Sequence, residues 1–297
     1  MIKLSKQDLE HILNGSCILG SGGGGPLSIG RQLMEHVLSS PNPVWLADPQ
    51  EDVDGGDMMA VSAFAGSPDA ATQQAFPFDS PTQAFDRLDE LQQKETERAF
   101  SFVLPIEIGA GNSFIPMTVA VRKGIPLVDA SGARQAFPSL TMSTYASKGA
   151  VVSPLVLANQ EHHVSIDAPD ISAAENSMRA IVSTPEFDQG AGIAAWSMRG
   201  ATMRDVAIHN TLSYARELGK KLQQAIENKT DPGKAVKEYL QGWILFRGRI
   251  VSVDEQTQGG FDVGRVVLRG DNSEQVWIYN QNENLIAWNT NRSLPLA

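Results

Sequence analysis

Apolar residues recur at helical spacing early in the chain. Ser5 followed by Asp8 reads as a capping box, Leu9, Ile12 and Leu13 form an apolar stripe, and Gly15 stands where a short first helix is expected to stop. Leu27, Leu33, Met34, Val37 and Leu38 then mark a second helix that Pro41 and Pro43 end. The period changes after that. Val44 to Leu46 and Met58 to Phe64 read as strands around the turn chemistry of Asp54-Gly55-Gly56-Asp57, and Pro81 to Arg98 reads as a helix with Phe85, Leu88 and Leu91 inward. Phe102 to Ile106, Ile125 to Val128 and Ala150 to Leu157 are short, continuous apolar runs, the pattern of strands covered on both faces.

Strands alternating with helices predict an α/β layered domain with a mostly parallel sheet over residues 1–167. Ala173 to Val182 and Met203 to Asn228 read as helices, and Asp231 caps a further one with Pro232 in its first position. After Gly242 the pattern is strands alone: Ile244 to Val253, Gly264 to Leu268 and Gln275 to Tyr279, with Gly259-Gly260 and Gly270-Asp271-Asn272 as turns. Residues 168–297 are therefore expected to form a helical segment plus a β-rich, barrel-like domain.

The 297 residues, 42% apolar and 20% charged, have the composition of a globular protein. The 34 acidic against 24 basic side chains, net −10, and the lack of any basic block argue against a nucleic-acid partner. The start has no long apolar segment of the signal-peptide type, and no stretch has the apolar length of a bilayer span, so the expected location is cytoplasmic. Cys17 is the only cysteine, which excludes an internal disulfide and a thiolate zinc site, and its apolar neighbours make it a small core filler.

Four consecutive glycines, Gly22, Gly23, Gly24 and Gly25, precede the second helix and make a candidate anion seat, because backbone N–H groups without Cβ atoms beside them can approach a ligand at a positive helix end. The alternative is a flexible turn with no ligand. No Gly-Lys-Ser/Thr follows, so a phosphate loop of the nucleotide-binding kind is not indicated. Glu107-Ile-Gly-Ala-Gly-Asn112 follows one apolar run, and Asp129-Ala-Ser-Gly-Ala-Arg134 follows the next; ligands of open α/β sheets bind at such strand ends. Glu107, Asp129 and Arg134 are thus candidate catalytic groups, and Asn112 and Ser131 candidate ligand contacts. The competing readings are an Asn112 helix cap and an Asp129–Arg134 ion pair that pins the loop. Asn280 to Asn284 either makes a turn or delivers Asn282 and Glu283 to a cleft. His162 and His163, adjacent in a strand, point to opposite faces and read as a solvated edge; no metal signature is present, and no cofactor is indicated.

Leu19 to Gly25, Glu107 to Asn112, Gly124 to Pro138, Gly259 to Gly264 and Asn280 to Ala287, in this order and spread over nearly the whole chain, resemble the former DUF917 family, now called S-methyl thiohydantoin desulfurase-like. The resemblance implies an N-terminal α/β domain, a β-rich C-terminal domain, and attack on a thiohydantoin ring. It also implies a hydantoinase- or oxoprolinase-like neighbour, so the chain is expected to act as a hydrolase or desulfurase on a small cyclic amide, or as the non-catalytic, ligand-binding partner of such an enzyme. Two departures stand out: Ser131 where the family has an acidic residue, and Ala133-Arg134 where it has Gly-Arg. The family continues beyond a point like Leu294 to Ala297 with a further strand region, so an uncovered edge near residues 275–288 and a homo-oligomer that covers it are expected.

Overall fold

The computed structural model describes residues 1–66, 76–188, 190–258, 261–291 and 294–297. The Gly259-Gly260 turn lies outside them. Sheets of eight and four strands, with a small two-stranded one, organise the described residues. The largest has eight strands, β1 (Ile2–Lys3), β2 (Trp45–Ala47), β3 (Met58–Gly66), β4 (Phe102–Pro105), β5 (Leu127–Val128), β7 (Leu155–Ala158), β8 (His163–Ile166) and β9 (Gly190–Arg199), in the order β1-β2-β5-β4-β3-β9-β7-β8. β2, β5, β4 and β3 run parallel and β7 shares their direction, whereas β1, β9 and β8 oppose them. β6 (Ala130–Ser131) pairs with β10 (Ile208–His209) in a separate two-stranded sheet.

The apolar runs form strands because both faces of this sheet are covered. Along β3, Met58 and Ala60 enter one core, while Met59, Val61 and Ala63 enter the other. The first core is closed by α1 (Lys6–Gly20), α2 (Leu27–Ser39), α3 (Ser80–Thr96), α4 (Ile115–Lys123) and α8 (Thr211–Glu227). The second is closed by α6 (Ile171–Val182) and α7 (Gly200–Val206), with Tyr145 of the one-turn α5 (Thr144–Ser147) packed on Trp196 at 5.4 Å between ring centres. Ile29, Leu33, Met34 and Val37 of α2 are all buried, each worth about 1.5–3 kcal/mol relative to exposure.

Ser5 and Asp8 do form a capping box, but α1 does not stop at Gly15. It runs five residues further because Gly15 is a contact, not a terminator: a β-carbon there would lie 1.8 Å from the Ala215 carbonyl oxygen of α8, and one on Gly219 would lie 1.9 Å from that of His11. Two backbones cross at a distance only glycine permits. The helix expected over 203–228 is two helices, α7 and α8, broken where Asn210 takes φ 59. β9 has no counterpart in the sequence reading; it comes from beyond residue 167 and lies between β3 and β7.

α9 (Pro232–Leu240), capped by Asp231, leads to an antiparallel meander of β11 (Arg249–Gln258), β12 (Phe261–Arg269), β13 (Gln275–Gln281) and β14 (Glu283–Asn289). This meander is the β-rich region of the C-terminal part, and β13 and β14 meet in a tight turn at Asn282, where Gln281 pairs with Glu283. The Leu296 amide hydrogen-bonds back to the Ala287 carbonyl at 2.6 Å, so the final residues run beside β14. Among the described residues no helix is long and apolar enough to cross a membrane.

Candidate functional site

Two glycine-containing loops meet at the ends of β3 and β4. The Gly24 carbonyl accepts the Gly111 and Asn112 N–H groups at 2.8 and 2.9 Å, and a β-carbon on Gly24 would lie 2.6 Å from the Gly109 Cα. That contact, with φ +67 at Gly24, explains the glycines on both loops: side chains on either would separate them.

The zipped loops fix a short polar chain. Asn112 Oδ1 accepts the Phe64 N–H at 3.1 Å, and Asn112 Nδ2 donates to Glu107 Oε1 at 2.7 Å. The Phe137 N–H donates to Glu107 Oε2 at 2.9 Å. Asn112 is therefore no helix cap. Glu107 is buried, and burial is the main reason its carboxyl is pushed up to about 8; the neighbouring Glu283 adds to the rise, while the Asn112 and Phe137 donors act against it.

Glu283 arrives from the meander. The Asn284 N–H donates to the Ser21 carbonyl at 2.7 Å and seats the β13–β14 turn on the glycine loop. The Glu283 carboxyl then occupies the space beside Gly23, where a β-carbon would stand 1.7 Å from Oε1. The run Asn280 to Asn284 thus does both things expected of it as alternatives: Asn282, at φ 59, makes the turn, and Asn282 and Glu283 line the cleft. Burial pushes Glu283 up to about 7, with Arg179 acting in the opposite direction. Its Oε2 is buried without a hydrogen-bond partner among the described residues.

The resulting cleft encloses about 890 Å³ counting its open mouth, and Gly24, Gly25, Glu107, Asn112, Asn282 and Glu283 all border it. Gly22 and Gly23 lie under the β13–β14 turn instead. Phe64, Phe76, Phe137, Ile115 and Ile193 supply apolar walls from both cores. The cleft therefore bridges the sheet edge and the meander, a common setting for small-molecule sites.

Asp129, Ser131 and Arg134 stand apart from this cleft. Asp129 Oδ1 accepts the Leu212 and Ser213 N–H groups at 2.8 and 3.2 Å, so its carboxylate caps α8. Burial raises its pKa, opposed by those hydrogen bonds and by Arg216. The Ser131 hydroxyl donates to the Ala133 carbonyl at 2.7 Å and to Thr211 Oγ1 at 2.9 Å. Arg134 lies over the Tyr214 ring, 5.1 Å from its centre, and makes no ion pair with Asp129 among the described residues. The beginning of α8 has taken the place the sequence reading gave to Arg134.

Arg179, which the sequence reading passed over, is the cation of the cleft wall. Its Nε and Nη2 donate to Glu175 Oε1 at 3.0 and 2.6 Å, Nη2 also donates to the Pro138 carbonyl at 2.6 Å, and the guanidinium lies 4.0 Å from the Phe261 ring centre. Glu175 Oε2 in turn accepts from Ser139 Oγ at 2.6 Å and the Leu140 N–H at 3.0 Å. The i, i+4 spacing of an acid and an arginine on a predicted helix is the signal that could have found this pair. Among the described residues no group of three or more His, Cys, Asp or Glu side chains is placed to hold a metal.

No curated protein matches the chain at a significant level. A crystal structure of a Chromobacterium violaceum protein, a structural-genomics target, superposes with a TM-score of 0.82 at 31% identity, over 100% of this chain and 80% of that one. Residues 7–167 match the description "S-Me-THD-like, N-terminal domain" and residues 169–297 match "S-Me-THD-like, C-terminal domain". With both halves of the chain matched in order, this chain belongs to the S-Me-THD-like family.

Proposed function

We propose that the cleft performs thiohydantoin desulfurase-like chemistry, the hydrolytic removal of a sulfur substituent from the C=N carbon of a five-membered, hydantoin-type ring. One observation carries this reading: Glu107 and Glu283 border the same cleft with carboxyls pushed to about 8 and about 7. Near neutral pH such a pair keeps one proton and gives up the other, so it holds an acid and a base together. The ionised carboxyl takes a proton from water as its oxygen bonds to the ring carbon. The protonated one supplies a proton to the ring nitrogen. As the C–S bond breaks, the thiol leaves carrying the second hydrogen of the water, and a ring carbonyl remains. Gly24 and Gly25, having no side chains, let a flat ring approach the cleft wall closely. The family to which the chain belongs supports the same substrate class.

The test is incubation of the purified protein with an S-methylated thiohydantoin while thiol release and ring absorbance are followed. Release that falls by about 100-fold or more in Glu107→Ala is the expected result, the usual size of a lost acid–base group. A folded protein that releases no thiol overturns the reaction. In that case the alternative is a ligand-binding subunit of a hydantoinase- or oxoprolinase-like enzyme, which co-purification with such a partner would establish.

A further inference from the structure

The polar groups of the cleft are unevenly spent. Both oxygens of Glu107 already accept hydrogen bonds, from Asn112 and from the Phe137 N–H. Asn112 Oδ1 is engaged by the Phe64 N–H. The Arg179 fork is turned to Glu175 and the Pro138 carbonyl, and one face of it is covered by Phe261. The Glu283 carboxyl, on a cleft-lining residue 5% exposed, is left over: its Oε2 is buried with no hydrogen-bond partner among the described residues. A buried acceptor without a donor costs on the order of 1–3 kcal/mol, and more when charged, unless something in the cleft satisfies it.

An anion is poorly matched to such a wall. It would meet two carboxyls, with the one cation among the described wall residues already paired to Glu175. A donor is well matched.

We infer that the cleft binds its ring ligand as a cation, a planar five-membered ring with a protonated amidine-type centre such as an isothiouronium or a guanidinium, whose N–H faces the Glu283 carboxyl. The inference rests on the reading of this cleft under Proposed function and deepens it by assigning the charge state of the ligand. The ring proton is then the one that the protonated carboxyl supplies, delivered before water attacks; it makes the C=N carbon a better electrophile, and the charge at Glu283 assists that attack rather than merely holding the ring. The charged and titratable groups around Glu283 are Glu107, Arg179 with Glu175 on α6, and Asp262 beside the β13–β14 turn.

Two rings of equal shape test it: 2-aminoimidazolinium, which stays protonated across the working range, and imidazolidin-2-one, its neutral oxygen counterpart. Calorimetric titration of the wild-type protein near pH 8 is expected to give about tenfold tighter binding of the cation, the size of one charge-assisted hydrogen bond. Glu283→Gln should abolish that preference. A second readout needs no variant: affinity for the cation should rise as pH passes upward through about 7, where Glu283 ionises, and affinity for the neutral ring should stay level. Equal or weaker binding of the cation, a preference that survives Glu283→Gln, or a flat pH curve each overturns the inference. Thiol release with no cation preference would remove the charge assignment alone, whereas a cation preference without thiol release would remove the reaction and keep the ligand class.

Discussion

Gly23 and Glu283 share one space: a β-carbon on the glycine would stand 1.7 Å from Oε1, 2.3 Å from Cδ and 2.8 Å from Cγ of the glutamate. The glycine loop is therefore a seat, and a carboxyl of the chain's own meander sits beside it.

Adjacent glycines are expected to respond by different amounts. In Gly23→Ala the obstacle is a rotatable side chain, so Glu283 swings away, stability falls by about 1 kcal/mol, and thiol release is lost. In Gly24→Ala the obstacle is the Gly109 backbone at 2.6 Å, on a residue with positive φ, so the cost is about 2–4 kcal/mol and the loops part. Denaturant midpoints measured beside activity separate the two. Equal stability losses would refute the assignment of Gly23 to Glu283.

Stability should depend on pH in a specific direction. Glu107 and Glu283 have folded values of about 8 and about 7 against an ordinary 4.5, so between these limits the folded state holds protons that the unfolded state has released. Their contribution is complete below about 4.5, declines as pH rises, and is gone above about 8. Glu283→Gln removes one of the two slopes and is expected to be more stable than wild type at pH 8 by about 1–3 kcal/mol, as thermal melts across the range would reveal.

Asp129 is expected to matter for folding and not for chemistry. Asp129→Ala removes the acceptor for Leu212 and Ser213 at the start of α8 and should cost about 1–2 kcal/mol, whereas Asp129→Asn keeps an acceptor and should cost less. KM should be unchanged in Asp129→Asn. Arg134→Lys, outside the cleft, should alter neither ligand affinity nor turnover; a loss of affinity would place Arg134 back among the binding groups.

Much of the layering was legible because it depends on local rules. The capping box at Ser5 and Asp8, the second helix with Leu33, Met34 and Val37 inward and the Asp231-Pro232 start all formed as periodicity and capping chemistry predict, although Leu27 and Leu38 at the ends of that stripe are exposed. Gly15 misled because a helix-ending glycine and a helix-crossing glycine look alike until the partner, Ala215, is known. β9 escaped notice for a similar reason: Gly190 to Ala195 is small and carries no strand alternation, and only its pairing between β3 and β7 makes it a strand. At the site, Glu107, Asn112, Gly24, Gly25, Asn282 and Glu283 were legible as unusual polar or glycine positions and do come together. Asp129, Ser131 and Arg134 carry the same kind of signal, and nothing local announces that α8 will claim their polar groups.

The position of β9 also has a consequence during synthesis. A ribosome that has delivered residues as far as Ile166 has made β3 and the β7–β8 hairpin, yet the strand that joins them is residues 190–199. Until it emerges, β3 presents an open row of amides and carbonyls, and the hairpin has no place on the sheet. The nascent chain is thus exposed to wrong strand pairing for the time needed to add about thirty residues, on the order of seconds at ordinary elongation rates, and closure of the sheet is delayed to a late, long-range event.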